Sequence, residues 1–414
     1  MKRNILSLLI SIGTLLFTLG CNAQYKEDAC TAEIKKQLFD KDHNLRSSLN
    51  YPLTVIRFYR DDFFKPVWIT APNSRPTGQA MILLDCVLAY GLMPADLHPK
   101  ELTYDLLEAI SEKPDSVPLP VKIRFEMMLT DALITLTNHL HYGKLNPDYG
   151  QARLDEEMNL PFHAEAVILA ALGSQHFDNE LLKVQPQSKA YADLQYWMHL
   201  WQGQYQGDCY EVPEADVRRV AINMERLRWA AINDSAAYLH INVPSYTLTY
   251  HLPDTDRIFK VIVGKPSAPT PVLQGEVAYF ATWPGRRIDH HSSLVFRIQN
   301  HYDVYLLDTP EEQLFASEKR ALSNGPIVVE KAEKLAELLL QDDNNAKLIP
   351  QLQKMIKKNK NKNFIFNKPV PVNITYLTCG IKEGYLINYE DIYQLDPALE
   401  MALYDIATSQ NDHS

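Results

Sequence analysis

The chain has 414 residues, which is longer than one hydrophobic core usually supports, so two domains are expected. Hydrophobic residues make up 46% of the sequence and charged residues 22%, a balance that excludes a largely disordered protein. The net charge of −10 argues against nucleic acid or an anionic lipid surface as the main partner, because both attract cationic surfaces.

The N-terminus has the pattern of an export signal. Two cationic residues precede an apolar run over residues 5–19, which is too short to span a bilayer and is typical of a signal peptide. The run ends at Gly20-Cys21, which is similar to the lipobox of bacterial lipoproteins and predicts lipidation of Cys21. The alternative is cleavage after Ala23 without a lipid. Both predict a periplasmic protein of the bacterial cell envelope, and lipidation would anchor it to a membrane.

The other cysteines show no metal-binding pattern. Cys30, Cys86, Cys209 and Cys379 have no closely spaced pair, so neither a zinc site nor any other cofactor is expected. Cys86 lies in an apolar helical stretch and is expected to be a small buried residue. One disulfide among the other three stays open. The cluster at residues 289–291 (DHH) is interpreted as a polar loop, with a metal site as the alternative.

The sequence from Gln37 to about Trp229 has helical periodicity. Apolar residues recur at intervals of three and four in two stretches that end at a glycine, the residue preferred just after a helix. Helices are predicted at Ala80–Tyr90, Val121–Tyr142, Ala164–Leu172 and Lys189–Tyr205. The aromatic cluster in the last of these helices is interpreted as core packing, with a sugar-stacking surface as the alternative. It consists of Tyr196, Trp197, Trp201 and Tyr205.

After Asn233 the pattern changes to short β-branched and aromatic runs separated by proline or aspartate. Strands are predicted at Tyr238–Asn242, Ser245–His251, Arg257–Val263, Val304–Leu307 and Val370–Leu377, with a helix at Val329–Leu340 and a hairpin turn at 382–384. The predicted fold class is therefore α+β. A signal peptide (1–21) and a linker with a first helix (22–50) precede an α-helical domain (51–214) and a mostly β domain (215–414).

Several segments occur in the order in which a known family carries them. In the helical part they are residues 64–68 (FKPVW) and 143–147 (GKLNP). Further along the chain they are residues 223–229 (NMERLRW), 241–246 (INVPSY), 261–265 (VIVGK), 270–272 (TPV), 304–310 (VYLLDTP), 314–315 (LF), 370–376 (VPVNITY) and 391–393 (DIY). These segments resemble the larger bacterial L,D-transpeptidases over nearly the whole mature chain. The resemblance implies a helical scaffold domain followed by a domain of the catalytic type.

The family's chemistry uses a cysteine thiolate that attacks a peptide stem of peptidoglycan, a histidine that activates it, and oxyanion donors. The resemblance places these groups in a Ser-His-Gly-Cys-Val-Arg-Val motif, which aligns with residues 323–329 (SNGPIVV). The histidine position is Asn324, the nucleophile position is Pro326 and the arginine position is Val328. A second histidine position, on the preceding strand, is Leu307.

These replacements predict a pseudoenzyme without catalytic residues. Proline has neither a nucleophile nor a backbone N–H, asparagine is no base near neutral pH, and valine has no charge. Cys379 falls at a core position of the family's C-terminal strand and is not expected to replace the nucleophile. The alternative is a functioning L,D-transpeptidase that cross-links peptidoglycan or attaches proteins to the wall.

A scaffold, binding or regulatory role in cell-wall maintenance is the remaining expectation. Ser323, Gly325 and Tyr305 are the predicted binding residues of the old groove, and the partner would be peptidoglycan or a cell-wall protein such as an active L,D-transpeptidase. The family's substrate-covering segment is short here, with Trp283-Pro284 as its remnant. The basic run 357–363 is interpreted as a solvated loop, with contact to anionic wall polymer or lipid head groups as the alternative.

Overall fold

The structure is a computed structural model that describes residues 28–39, 45–60, 62–204, 214–230, 232, 237–253, 255–283, 292–299, 302 and 304–404, without the side chains of 202–204. A helical region is followed by a β-rich domain, so the predicted α+β class is confirmed. The predicted signal peptide and Cys21 lie outside the described residues. No helix within the described ranges combines the length and the apolar character needed to cross a membrane.

The helical region is built around one long central helix. In chain order its helices are α1 (Ala29–Phe39), α2 (Pro52–Arg60), α3 (Arg75–Asp85), α4 (Tyr104–Glu112), α5 (Leu119–His141), α6 (Gln151–Glu156), α7 (Ala164–Leu172), α8 (Phe177–Leu182), α9 (Lys189–Gln204) and α10 (Glu214–Ala230). From Phe125 to Leu140 every residue of α5 is buried, so the other helices surround it. It ends before Gly143, whose φ of +91° suits glycine.

Two predicted features of the helical region are corrected. The stretch Ala80–Tyr90 is not one helix, because α3 ends at Asp85 and a separate 3₁₀ turn covers Val87–Tyr90. Cys86 lies at the break between them and is exposed, so its predicted burial is wrong. The change of helical geometry at Cys86 removes it from the apolar face that the periodicity had assigned to it.

The aromatic cluster of α9 divides between core and surface. Trp201 is buried, and its ring meets that of Trp197 edge to face at 5.6 Å, which fits the prediction of core packing. Tyr196 is 60% exposed and does not contribute to the core. Tyr205 lies outside the described residues.

The β-rich domain is a twisted sheet closed into a ring. Its strands are β1 (Tyr238–Asn242), β2 (Thr247–Leu252), β3 (Thr255–Gly264), β4 (Leu273–Thr282), β5 (Leu294–Gln299), β6 (Tyr305–Leu307), β7 (Ala321–Ser323), β8 (Ile327–Val329) and β9 (Lys362–Thr375). Their order is β2-β1-β9-β4-β5-β6-β8-β3-β7, and the additional pairing of β2 with β3 closes the ring. A separate hairpin joins β10 (Cys379–Lys382) to β11 (Tyr385–Asn388), with its turn where the sequence predicts it.

Three helices accompany these strands, namely α11 (Ala332–Asp342), α12 (Ile349–Lys357) and α13 (Asp396–Leu403). The predicted helix at Val329–Leu340 begins three residues too early. Val329 instead ends β8, because it pairs with Val261 of β3. Lys331, with a φ of +54°, makes the turn into α11, whose buried leucines pack against the sheet.

Helix α10 joins the helical region to the β-rich domain through residues 223–229, the NMERLRW segment. Asn223 exchanges two hydrogen bonds with Thr378 just before the β10–β11 hairpin. Glu225 accepts a hydrogen bond from the backbone N–H of Leu145, and Arg228 donates one to the carbonyl of Tyr90. The segment therefore has a structural role in this chain, since its polar side chains connect the two regions.

Candidate functional site

The two strand positions that the family resemblance assigns to catalytic side chains lie next to each other. Leu307 of β6 and Val328 of β8 are register partners on adjacent parallel strands, and Val328 is in turn the partner of Ile262 of β3. Strands in a sheet lie roughly 4.8 Å apart, so these side chains form one continuous row. The sheet therefore brings together two residues that are far apart in the sequence.

This row faces away from the core of the β-rich domain. The neighbouring residues Leu306 and Ile327 are both buried in that core, and alternate residues of a strand point to opposite faces. Leu307 is nevertheless only 3% exposed, whereas Val328 is partly exposed. Leu307 is therefore not part of an accessible groove, and the accessible part of the site lies at Val328 and the preceding turn.

The end of β7 and the turn into β8 carry the predicted site residues Ser323, Asn324, Gly325 and Pro326. The Ser323 carbonyl accepts a hydrogen bond from the Lys265 N–H at 3.0 Å, which ties the turn to the end of β3. Gly325 has a φ of +130°, and a Cβ placed there would meet no atom within 4 Å, so this side of the turn is open. Its N–H donates to the Ser323 hydroxyl at 3.3 Å. Asn324 is exposed, and Pro326 is partly exposed.

The turn offers few backbone N–H groups that could stabilise an oxyanion. Pro326 has no N–H, and the N–H of Gly325 already has an acceptor within the turn. Strands β3, β5, β6, β7 and β8, which surround the site, contain neither histidine nor cysteine. These strands therefore supply neither a thiolate nor an imidazole base to the site.

Tyr305 lies on the same face as Leu307, two residues earlier in β6, and it is partly exposed. Its register partner is Arg297 of β5, which is exposed. Leu322 of β7 is 50% exposed, and it points outward because Ala321 beside it is paired with the core residue Val263. We call the exposed surface formed by Leu322, Asn324, Gly325, Pro326 and Val328 the turn face.

Cys379 does not substitute for a nucleophile in this structure. It starts the β10–β11 hairpin, a different sheet from the one that carries Pro326. Its side chain is 1% exposed, and burial raises the pKa of the thiol to about 12, so little thiolate forms near neutral pH. Cys30 and Cys379 are both free thiols, and Cys209 lies outside the described residues.

A cavity of about 480 Å³ lies beside the site. It is lined by Asp308, directly after Leu307, and by residues around the start of α11. Asp308 accepts hydrogen bonds from the Ser293 hydroxyl and the Leu294 N–H, and burial raises the pKa of its carboxyl group. Burial and the nearby Glu337 also raise the pKa of Glu333. In the sequence, Asp308 directly after β6 is the one signal of this cavity. Its hydrogen-bond partners, Ser293 and Leu294, lie in an earlier segment and could not be inferred.

Two other predicted features are the remnant of the substrate-covering segment and the candidate metal cluster. Trp283 directly follows β4, and its indole N–H donates a hydrogen bond to the Ile356 carbonyl of α12 at 3.1 Å. Pro284 and the cluster at residues 289–291 lie outside the described residues. Within the described ranges, no group of three or more histidine, cysteine, aspartate or glutamate side chains could hold a metal ion.

Comparison with known proteins gives two matches. A family model described as "Scaffold domain" matches residues 54–198, which form most of the helical region. A curated protein of Haemophilus influenzae with the name "Putative L,D-transpeptidase" is 25% identical over 246 residues, covering 45% of this chain and 49% of that protein. The chain thus spans about half the length of the curated relative it matches. Together the two matches support an L,D-transpeptidase-like relationship.

Proposed function

We propose that this chain is an exported cell-envelope protein, related to peptidoglycan L,D-transpeptidases, that acts by binding and does not catalyse. The observation that carries the proposal is the chemistry of the site strands: β3 and β5 to β8 contain no cysteine and no histidine. The proposed role is that of a scaffold or regulatory protein in cell-wall maintenance, held at a membrane through Cys21.

The physical argument for inactivity has three parts. Acyl transfer needs a nucleophile, and the aligned residue Pro326 has none. The nucleophile needs a base, and the aligned positions are Asn324 and Leu307, of which Leu307 is nearly fully buried. The intermediate needs donors, and the turn offers neither an N–H at Pro326 nor a vacant one at Gly325.

A functioning L,D-transpeptidase is the alternative, favoured by the printed name of the Haemophilus influenzae relative. That activity would require a nucleophile from elsewhere in the chain. Cys379 is a poor candidate because its thiol is buried and its pKa is raised to about 12.

The turn face favours a protein partner over a charged peptide stem. Leu322 and Val328 give it an apolar character, and the resemblance places a histidine and an arginine where Leu307 and Val328 now stand. An apolar surface next to exposed backbone suits the side chains of another protein. We therefore favour an envelope protein, such as an active L,D-transpeptidase, over direct binding of peptidoglycan.

The test is photocrosslinking in cells from a photoreactive residue placed at Val328. The expected result is an adduct with one envelope protein, absent when the same residue replaces Ile82, which is 57% exposed in the helical region. Adducts with peptidoglycan alone would reverse the choice of partner. Equal adducts from both positions, or none from Val328, would remove the turn face as the binding surface.

A further inference from the structure

A cluster of lysines lies around the end of α12 and the start of β9, a strand that is four places from β8 in the order of the ring. From Lys347 to Lys368, both included, the chain has seven lysines and no arginine, aspartate or glutamate, although the whole chain has a net charge of −10. We call the five lysines at the centre of this segment the lysine platform: Lys354, Lys357, Lys358, Lys360 and Lys362.

The structure holds the lysine platform in a fixed geometry. Helix α12 ends with a Schellman motif, in which Asn359 has a φ of +49°, the Lys360 N–H donates to the Met355 carbonyl, and the Asn359 N–H donates to the Ile356 carbonyl. The following turn is tied to β4, because the Thr282 hydroxyl donates to the Lys360 carbonyl at 2.7 Å. The backbone that carries the positive charges is therefore ordered, while residues 357–361 are exposed to solvent, as expected for a solvated segment.

Four platform lysines are exposed, whereas Lys362 is partly buried with its Nζ 5.6 Å from the centre of the Phe364 ring. The exposure of the lysines on α12 follows from the amphipathic character of this helix. Lys354, Lys357 and Lys358 have helical spacing and share an exposed face. The opposite face carries Leu352, which is fully buried, and Met355, which packs against the core of the β-rich domain. The apolar side of α12 is thus already used, and the lysine face is left for an external partner.

No acidic side chain of the described residues forms an ion pair with the platform. Two acids near the platform, Glu337 of helix α11 and Asp343 just after that helix, have other partners. Glu337 accepts hydrogen bonds from Gln353 and Lys334, and Asp343 accepts from the backbone N–H groups of Asn367 and Lys368. The presence of Lys354 and Lys357 is explained by their favourable interaction with the C-terminal end of the helix dipole. That interaction does not explain the lysines beyond the helix.

We propose that the lysine platform is a membrane-contact surface that binds the head groups of anionic phospholipids. Lysine is a flexible point charge, suited to a diffuse anionic surface, whereas the bidentate recognition of a single phosphate or of a nucleic acid usually employs arginine, which is absent here. The aromatic residues of this segment, Phe364 and Phe366, are buried, so the platform offers no ring on which a base or sugar could stack. Ile365, 69% exposed, adds one apolar contact on the same segment.

The overall negative charge, which argues against an anionic lipid surface as the main partner, opposes a local contact only weakly, because the interaction of exposed charges is screened beyond roughly 8–10 Å in physiological salt. The membrane therefore responds to the local lysines and not to the distant acids. This inference rests on the envelope location in the proposed function, but not on the loss of catalysis. A lipid anchor at Cys21 and the lysine platform would act as two contacts with one membrane.

The experiment uses the chain from residue 22 onward, which lacks only the signal peptide and Cys21, so that no lipid anchor contributes to binding. Its binding is measured by cosedimentation with vesicles of phosphatidylethanolamine and phosphatidylglycerol, and with vesicles of phosphatidylcholine alone. We expect binding to the anionic vesicles only, and loss of that binding when salt rises from about 0.1 M to about 1 M.

Two matched variants test whether the platform is responsible. Changing Lys354, Lys357, Lys358 and Lys360 to glutamine should weaken binding to the anionic vesicles by at least about tenfold. The control replaces four exposed lysines of the helical region by glutamine, with the same change in net charge, and should bind as the unmodified chain does. The control positions are Lys65, Lys100, Lys113 and Lys183.

Three results would overturn the inference. They are equal binding to both vesicle types, equal losses in the two variants, and binding to soluble polyphosphate without binding to anionic vesicles, which would point to a polymer instead. Circular dichroism of both variants excludes misfolding as the cause of a loss. None of these outcomes bears on catalysis, so this inference and the proposed inactivity fail separately.

Discussion

The ion pair of Glu225 and Arg228 gives the sharpest prediction about what holds the two regions together. Both side chains are 0% exposed, and Arg228 Nη1 lies 3.2 Å from Glu225 Oε2. The other carboxylate oxygen accepts from the Leu145 N–H at 2.6 Å and from the Trp229 indole at 3.0 Å. Glu225→Ala would therefore leave a buried guanidinium without its counter-charge and two donors without an acceptor.

The expected loss is about 3–5 kcal/mol in the free energy of unfolding, the range found when one partner of a buried ion pair is removed. The assay is urea unfolding at neutral pH, followed by circular dichroism and tryptophan fluorescence. Glu225→Gln keeps an oxygen acceptor but loses the charge, so its loss should be smaller.

The matched control is Glu214→Ala on the same helix. Glu214 also pairs with an arginine, Arg218, but its side chain is 72% exposed, so the expected loss is under about 1 kcal/mol. If Glu225→Ala costs no more than Glu214→Ala, the role assigned to the NMERLRW segment at the junction is wrong.

Three further predictions concern packing, pH and chemistry. Gly143→Ala should lower the free energy of unfolding by more than Gly384→Ala does. Both glycines have positive φ, but only at Gly143 would the new Cβ lie 2.6 Å from a Glu225 side-chain oxygen. Equal losses in urea unfolding would contradict the packing argument. Burial, with a smaller effect of nearby cations, lowers the pKa of His139 to about 3, below its value in the unfolded chain. The free energy of unfolding should therefore fall as the pH decreases from about 6.5 towards 3, by at most about 1.4 kcal/mol per pH unit from this group. His139→Gln should reduce that slope in acid titrations followed by circular dichroism, and an unchanged slope would refute the assignment. Pro326→Cys should not restore cross-linking of wall peptides, because the surrounding strands supply no histidine; turnover by this variant would refute that reasoning.

Elements with a strong local pattern were predictable from the sequence. The helix Ala164–Leu172 and the strand Tyr238–Asn242 have the predicted bounds, and the buried residues of the helix include Ala164, Ile168 and Ala171, at intervals of four and three. The break at Cys86 was not predictable, since the apolar spacing continues across it while the helix geometry changes. Strand β8 was missed because three residues are too few to show a period of two, and Val329 is in a strand only through its pairing with Val261.

The candidate site depends on strand register, which the sequence does not reveal. The family resemblance supplied Leu307 and Val328 as site positions, but only the parallel pairing of β6 with β8 places them side by side. The burial of Leu307 was not predictable either, because the resemblance indicates a position and not its solvent exposure. The lysine platform was visible as a basic run, whereas its rigidity comes from hydrogen bonds to β4 and within the helix end.

Covalent labelling of the purified chain shows whether the protein has a reactive nucleophile. The protein is incubated with a carbapenem, the compound class that acylates the cysteine of L,D-transpeptidases, and its intact mass is measured beside an active L,D-transpeptidase as the positive control. We expect an unchanged mass for this chain and no cross-linked product with wall peptides. A stoichiometric acyl adduct, mapped to any cysteine and accompanied by turnover, would contradict it.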